Sequence, residues 1–130
     1  MKSSLKFFAK APGKIIITGE HFVVHGSLAL AAAIDRGALV EAEAFEGIEI
    51  ISKALGFFSS KKGKVPPSLK PTLEAIKATL EFIGEKKGVR VIIDSDLPIS
   101  SGLGSSSAVS VATVAATASA LNHELSPEEM

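Results

Sequence analysis

Apolar and polar positions change period several times along this chain, and each change predicts an element. Residues 5–9 (Leu-Lys-Phe-Phe-Ala) read as a short strand and Ala11-Pro12-Gly13 as a turn. Lys14–Thr18 is β-branched and predicts a strand closed by Gly19. Leu28–Ile34 is short and apolar, with no helix cap before it, and predicts a buried strand. Ala38–Phe45 alternates, with Glu41 and Glu43 on one face, so a half-exposed strand is expected. Ile48–Ser52 repeats the pattern after Glu46-Gly47, which reads as a hairpin turn. Residues 53–68 carry a Ser/Lys/Gly run and Pro66-Pro67 and predict an exposed loop. From Pro71 to Ile83, Leu73, Ile76, Leu80 and Ile83 share one helical face, and Gly84 supplies a stop. Val89–Asp94 then reads as a strand, Leu97–Gly104 as a loop, and Ser105–Leu121 as a helix of small residues. Consecutive strands followed by alternation predict an α+β fold, a mixed sheet covered by helices on one face.

Composition narrows the partners. The chain has 130 residues, 14 basic against 14 acidic, and no Cys, Trp or Tyr. That length suits one domain, taken as residues 1–130. Zero net charge argues against a nucleic-acid partner, whose footprint is a basic excess. Lack of Cys removes disulfides, zinc-thiolate sites and thiol nucleophiles. Residues 1–10 have no signal-peptide pattern, and no apolar run reaches the roughly 18 residues of a spanning helix. A cytoplasmic protein without a membrane partner is expected. Ser126-Pro127-Glu128-Glu129 has the residues of a helix opening: cap, Pro, then acids. A chain that opens an element at its end is expected to be the N-terminal part of a longer protein.

The stretch richest in chemistry is the loop Pro98-Ile99-Ser100-Ser101-Gly102-Leu103-Gly104-Ser105-Ser106-Ser107-Ala108. It joins a predicted strand to a predicted helix. Gly102 and Gly104 permit close backbone approach. Ser105, Ser106 and Ser107 place hydroxyls where a helix has unpaired N–H groups and a positive dipole end, which makes a phosphate cradle. A Ser hydroxyl there can also reach Mg²⁺ shared with phosphates. The plain alternative is a capped Gly/Ser linker. The adjoining Ala/Val helix, small enough to dock closely, favours the cradle. No Gly-Lys-Ser/Thr follows the glycines, so it is not a Walker loop. A dinucleotide fingerprint needs a second strand ending in an acid about 20 residues on; Glu124 is at that distance but has no strand.

A second constellation runs from Ala11-Pro12-Gly13-Lys14 to Gly19-Glu20-His21 and His25-Gly26. A Lys opening a strand can stabilise charge on a transferring phosphoryl group. Glu20 and His21 suit a hydroxylated, carboxylated substrate. His21 and His25 are four apart, but their segment does not read as helix, so a metal pair is not expected. His123 and Asp35 read as solvated surface. Phe7, Phe8, Phe57 and Phe58 read as core or loop anchors.

Together these segments resemble the superfamily of galactokinases, homoserine kinases, mevalonate kinases and phosphomevalonate kinases. Pro98–Ala108 looks like its Pro-x3-Gly-Leu-Gly-Ser-Ser-x-Ala ATP motif, and the opening looks most like its mevalonate kinases. The resemblance implies an N-terminal nucleotide-binding domain, incomplete at its C-terminus. It implies ATP and Mg²⁺ as cofactors and phosphoryl transfer to the primary hydroxyl of mevalonate, a small-molecule partner. Lys14 would assist the reacting hydroxyl, and Glu20 and His21 would bind substrate. Ser95 and Pro98, Ile99, Ser100, Ser101, Gly102, Leu103, Gly104, Ser105, Ser106, Ser107 and Ala108 would hold ATP, with Ser106 on the metal. Residues 53–68 would border the nucleotide site, without a motif that names a contact. Ser100, Ser101 and Ser107 depart from the Gly, Ala and Ala common in the family. The family's catalytic Asp and acidic metal ligand would lie downstream, and Asp35, Asp94 and Asp96 do not replace them. The chain alone is therefore expected to lack turnover and to expose apolar surface. Another substrate of the superfamily (phosphomevalonate, homoserine or a sugar), a non-catalytic nucleotide-binding domain, and a homodimeric state are the alternatives left open.

Overall fold

The computed structural model describes residues 5–19, 25–26, 28–98 and 102–130. Among these, the elements run β1 (Phe7–Thr18), β2 (Leu30–Phe45), β3 (Ile48–Ser52), β4 (Gly56–Ser59), α1 (Lys70–Ile83), β5 (Gly88–Ser95) and α2 (Ser105–Ala120). A 3-10 turn, Pro67–Leu69, leads into α1. The strands form one five-stranded sheet in the order β1-β2-β5-β3-β4. Neighbours are antiparallel except β3 and β5, which run parallel and are linked through β4 and α1. The expected α+β architecture is therefore present.

Alternation along β2 and β5 decides which face the helices cover. Ala38, Val40 and Ala42 of β2 and Val89, Val91 and Ile93 of β5 are buried and share a core with Leu73 and Ile76 of α1. Ala108, Ala112, Ala116 and Ala120 recur every fourth residue on α2 and are buried in that same core. Their small side chains let the helix lie close to β1 and β2. α1 ends as its sequence predicts: Gly84 takes a left-handed φ of 71°, and the Glu85 N–H donates to the Leu80 carbonyl. The opposite sheet face carries Glu43, Arg90 and Glu49 in register across β2, β5 and β3.

Several local expectations are corrected. Ala11-Pro12-Gly13 is not a turn: β1 runs through it, with a register irregularity between Pro12 and Lys14. Likewise, 28–34 and 38–45 do not make separate strands, because β2 is continuous from Leu30 to Phe45. The first part of β2 is not buried. Leu30 is 56% exposed and Leu28, just before the strand, 94%, because β5 begins to pair only at Ala38. Glu46-Gly47 does not make a hairpin of β2 and β3, since β5 inserts between them and pairs Gly88 with Phe45 and Val89 with Ile48. The predicted loop 53–68 contains β4, paired to β3 through Ile51 and Phe57. Phe58 is buried there as an anchor, but Phe8 and Phe57 are exposed. At the end of the chain, Ser126 opens a single turn, its carbonyl accepting from the Glu129 and Met130 N–H groups at 3.0 and 3.3 Å. Its N–H donates to Glu129 Oε1 at 3.0 Å, half of a capping box. That backbone bond, with a Ser126 side-chain bond, holds the Glu129 carboxyl below its ordinary pKa.

The expected exposed apolar surface is present at one end of the sheet. Ile15, Ile16 and Ile17 of β1 and Leu30 of β2 are each at least two-fifths exposed. Among the described residues no helix is long and apolar enough to cross a membrane.

Candidate functional site

The loop from β5 to α2 delivers the serines to a helix start. Gly104 sits at the N-cap with a left-handed φ of 76°, and no side chain caps the helix. The Gly104 carbonyl accepts the first helical bond, from the Ala108 N–H at 2.9 Å. The amides before Ala108 are the ones a helix leaves without an intrahelical partner, and they carry the positive end of its dipole. Ser106 and Ser107 are exposed beside them, and Ser105 is half-buried. The site's electrostatics are those of an anion cradle.

Lys14 lies directly against this helix start. Its N–H donates to the Leu103 carbonyl at 2.8 Å. Its stem rests on Gly104: a Cβ placed there would come within 3.1 Å of Lys14 Cγ. The irregularity in β1 after Pro12 brings Lys14 into this position. The two motifs, far apart in sequence, therefore touch. Among the described residues Lys14 has no carboxylate partner within ion-pair distance, so its ammonium is available to a ligand.

Beside the helix start lies a cavity of ≈ 520 Å³. Gly102, Gly104, Ser105, Ser106 and Ser107 line one side, with Val109 and Ser110 of α2 beneath. Ile93, Asp94 and Ser95 at the end of β5 form the floor. The far wall is Ser52–Leu55, between β3 and β4, with Pro67, Ser68, Pro71 and Thr72 at the start of α1. Two hydroxyls knit that wall: Ser52 Oγ accepts from the Leu55 N–H at 3.1 Å, and Ser68 Oγ donates to the Leu55 carbonyl at 2.8 Å. Ser95 Oγ accepts from the Leu97 N–H at 3.2 Å, so this hydroxyl also shapes the loop. Serines and amides dominate one wall, whereas on the other Ala54, Leu55, Pro67 and Pro71 stand among Ser52, Lys53, Ser68 and Thr72. A ligand with an anionic end and a flat, less polar end suits that division.

Of the residues singled out from sequence, Ser95, Gly102, Gly104, Ser105, Ser106 and Ser107 meet in the cavity, and Lys14 stands beside it. Ala108 is turned into the core. Leu103 packs on the core's edge and presents its carbonyl to Lys14. Pro98 is exposed just ahead of this loop. Glu20, His21, Ile99, Ser100 and Ser101 lie outside the described residues. The far wall was missed residue by residue: Lys53, Leu55, Ser68 and Thr72 carry no motif, and only the resemblance pointed to 53–68. Among the described residues no cluster of three or more His, Asp or Glu could hold a metal. Ser106 and the Asp94 carboxylate both line the cavity and offer oxygens to a cation, water and ligand oxygens completing its shell.

Known proteins resemble this chain over nearly its whole length. Residues 70–130 match the family described as GHMP kinases N terminal domain. The chain is 40% identical to a mevalonate kinase of Thermococcus sibiricus, over 97% of this chain and 42% of that one. It superposes on the crystal structure of Methanococcus jannaschii mevalonate kinase with a TM-score of 0.79 at 30% identity, over 98% of this chain and 43% of that one. It also superposes on Lactococcus lactis galactokinase complexed with galactose, with a TM-score of 0.78 at 21% identity, over 95% of this chain and 35% of that one. That last likeness is one of fold. The chain thus spans about two-fifths of the length of these relatives.

Proposed function

We propose that this chain, which belongs to the GHMP kinases through their N-terminal domain, is the ATP- and acceptor-binding domain of a cytoplasmic mevalonate kinase. The observation that carries the reading is Lys14 laid against Gly104 at the start of α2, beside a cavity lined by Ser105, Ser106 and Ser107. The reaction is transfer of the γ-phosphoryl group of ATP to the primary hydroxyl of mevalonate, giving 5-phosphomevalonate and ADP. Phosphoryl transfer asks a protein chiefly for positioning and charge stabilisation, and this site supplies both.

The free amides of α2 receive phosphate oxygens, and Gly102 and Gly104 let the backbone come close to them. The less polar end of the nucleotide lies toward Leu55, Pro67 and Pro71. Lys14 directs its ammonium to the acceptor oxygen and the transferring group, where negative charge accumulates. Glu20 and His21 bind the acceptor. The Ser106 hydroxyl is a suitable single oxygen donor for Mg²⁺, an ion that keeps several waters and shares phosphate oxygens. When bound, that ion neutralises charge on the phosphates.

Two measurements test the reading. MgATP titrated into this chain by calorimetry is expected to bind, and Ser106→Ala to weaken binding. A chimera carrying this chain in place of the matching region of the Thermococcus sibiricus enzyme is expected to release ADP with mevalonate. Phosphomevalonate, homoserine and galactose are expected to fail in the same assay. Lys14→Ala should lower turnover by about 10²-fold or more while leaving MgATP binding nearly intact. Binding without mevalonate-dependent turnover in the chimera would leave a nucleotide-binding domain and sink the kinase assignment.

A further inference from the structure

β5 leaves the sheet after Ser95, and Asp96 is the residue on which it leaves. The last register pair between β2 and β5 is Ala38 with Ser95. One position further, the Asp96 N–H donates to the Gly37 carbonyl at 3.2 Å. The return bond comes from a side chain: the Gly37 N–H donates to Asp96 Oδ1 at 2.7 Å. In a regular antiparallel pair that donor would meet the main-chain carbonyl opposite. The carboxylate takes the carbonyl's place. The backbone can then turn into the loop toward α2 while the Gly37 N–H stays paired.

The neighbours leave this clamp little freedom. A Cβ at Gly37 would overlap the Ala11 carbonyl, so β1 presses on β2 at the clamp itself. Leu97, the next residue of the loop, is buried and sits so near Gly13 that a Cβ there would lie 2.6 Å from Leu97 Cδ2. At the loop's other end, the Leu103 carbonyl is held by the Lys14 N–H. Asp96 thus fixes where the loop starts, on β2, beside the strand β1 that holds where it ends.

We propose that Asp96 is a positioning residue for phosphate binding, holding the entry of the β5–α2 loop on Gly37 so that Gly104 and the amides of α2 stay set against Lys14. The proposal rests on the reading of this cavity as a phosphate site. It concerns a side chain that touches neither ATP nor acceptor. The role needs an acceptor oxygen at one fixed reach and does not need charge. Asn keeps that oxygen, Ala removes it, and Glu carries it one methylene too far.

The test uses the whole 130-residue chain. Hydrogen exchange at the Lys14 amide reads the docking of the loop, and calorimetry with MgATP reads the site. Asp96→Ala is expected to lose protection at Lys14 and to bind MgATP about tenfold more weakly or worse, since small misplacements of a site are costly. Asp96→Asn is expected to match the wild type in both. Unchanged protection in Asp96→Ala overturns the proposal, and so does lost protection with wild-type affinity. Should Asp96→Ala fail to fold, Asp96→Glu replaces it: weaker binding than Asp96→Asn supports the role, and equal binding overturns it. A wild-type chain that does not bind MgATP overturns the phosphate reading first, and that outcome is distinct from a variant that binds as well as wild type.

Discussion

The hydroxyls of Thr113 and Thr117 are buried in the middle of α2 and have no hydrogen-bond partner. A helical Thr ordinarily turns its hydroxyl onto a carbonyl three or four residues back. Thr79 of α1 does so, donating to the Ala75 carbonyl at 2.7 Å. An unpaired buried hydroxyl costs about 1–3 kcal/mol relative to a paired one. Val has nearly the shape of Thr and no hydroxyl to satisfy. Thr113→Val and Thr117→Val are therefore expected to raise stability by about 1 kcal/mol each, while Thr79→Val lowers it. Urea unfolding decides this. A loss of stability in Thr113→Val would mean that its hydroxyl has a partner, such as a buried water. These threonines also show where reading apolar letters falls short. The pattern placed α1 by Leu73, Ile76, Leu80 and Ile83, yet Thr72 and Thr79 are more deeply buried than Leu80. Thr79, whose hydroxyl is satisfied within the helix, packs like an apolar residue and is invisible to a polarity count.

At the scale of elements, helices were legible and long strands were not, for a reason that lies in the pairing. Pro12-Gly13 and Asp35-Arg36-Gly37 each look like a break in a strand. In the sheet Pro12 and Gly37 face each other. The two breaks are one shared irregularity of a paired ribbon, and two distant stretches give no sign of meeting. The insertion of β5 between β2 and β3 was hidden in the same way, because order across a sheet is not a local property. The motifs survived because each is continuous in sequence; the cavity's far wall is assembled from the β3–β4 turn and the start of α1, and did not. Inserted centrally, β5 also assembles a charge triad. Arg90 reaches Glu43 at 3.1 Å and Glu49 at 3.0 Å, one from each neighbouring strand, and lies 4.2 Å from the centre of the Phe45 ring. All three side chains are at most about one-third exposed. Lys cannot match that fork or stack as well on the ring. Arg90→Lys is expected to destabilise the fold by about 1–2 kcal/mol, less in high salt. Equal unfolding midpoints for the two proteins would show that the triad contributes nothing.

At the scale of the whole molecule, the sheet is protected unevenly. α2 packs chiefly on β2 and β1, but these two strands continue past Pro12 and Gly37 with no third beside them among the described residues. A two-stranded ribbon is marginal in water by itself. This one carries Ile15 and Ile16, each 41% exposed, and Ile17 at 59%. β1 is also an edge of the sheet, its Lys14 N–H taken by the Leu103 carbonyl. Exposed apolar side chains on an unprotected edge are the physical recipe for association. The chain by itself is therefore expected to self-associate through this ribbon, more strongly as its concentration rises. Ile17→Lys puts a charge at the most exposed of the three isoleucines and removes no core contact. It should shift sedimentation toward the monomer and leave the unfolding free energy from urea titration within about 0.5 kcal/mol of wild type, as expected of a surface change. Phe82→Lys, an exposed site on α1 away from the ribbon, is the control and should not change association. A wild-type chain that stays monomeric at high concentration would refute the ribbon's role. So would a Phe82→Lys variant that dissociates as fully as Ile17→Lys, because association would then be a matter of overall charge.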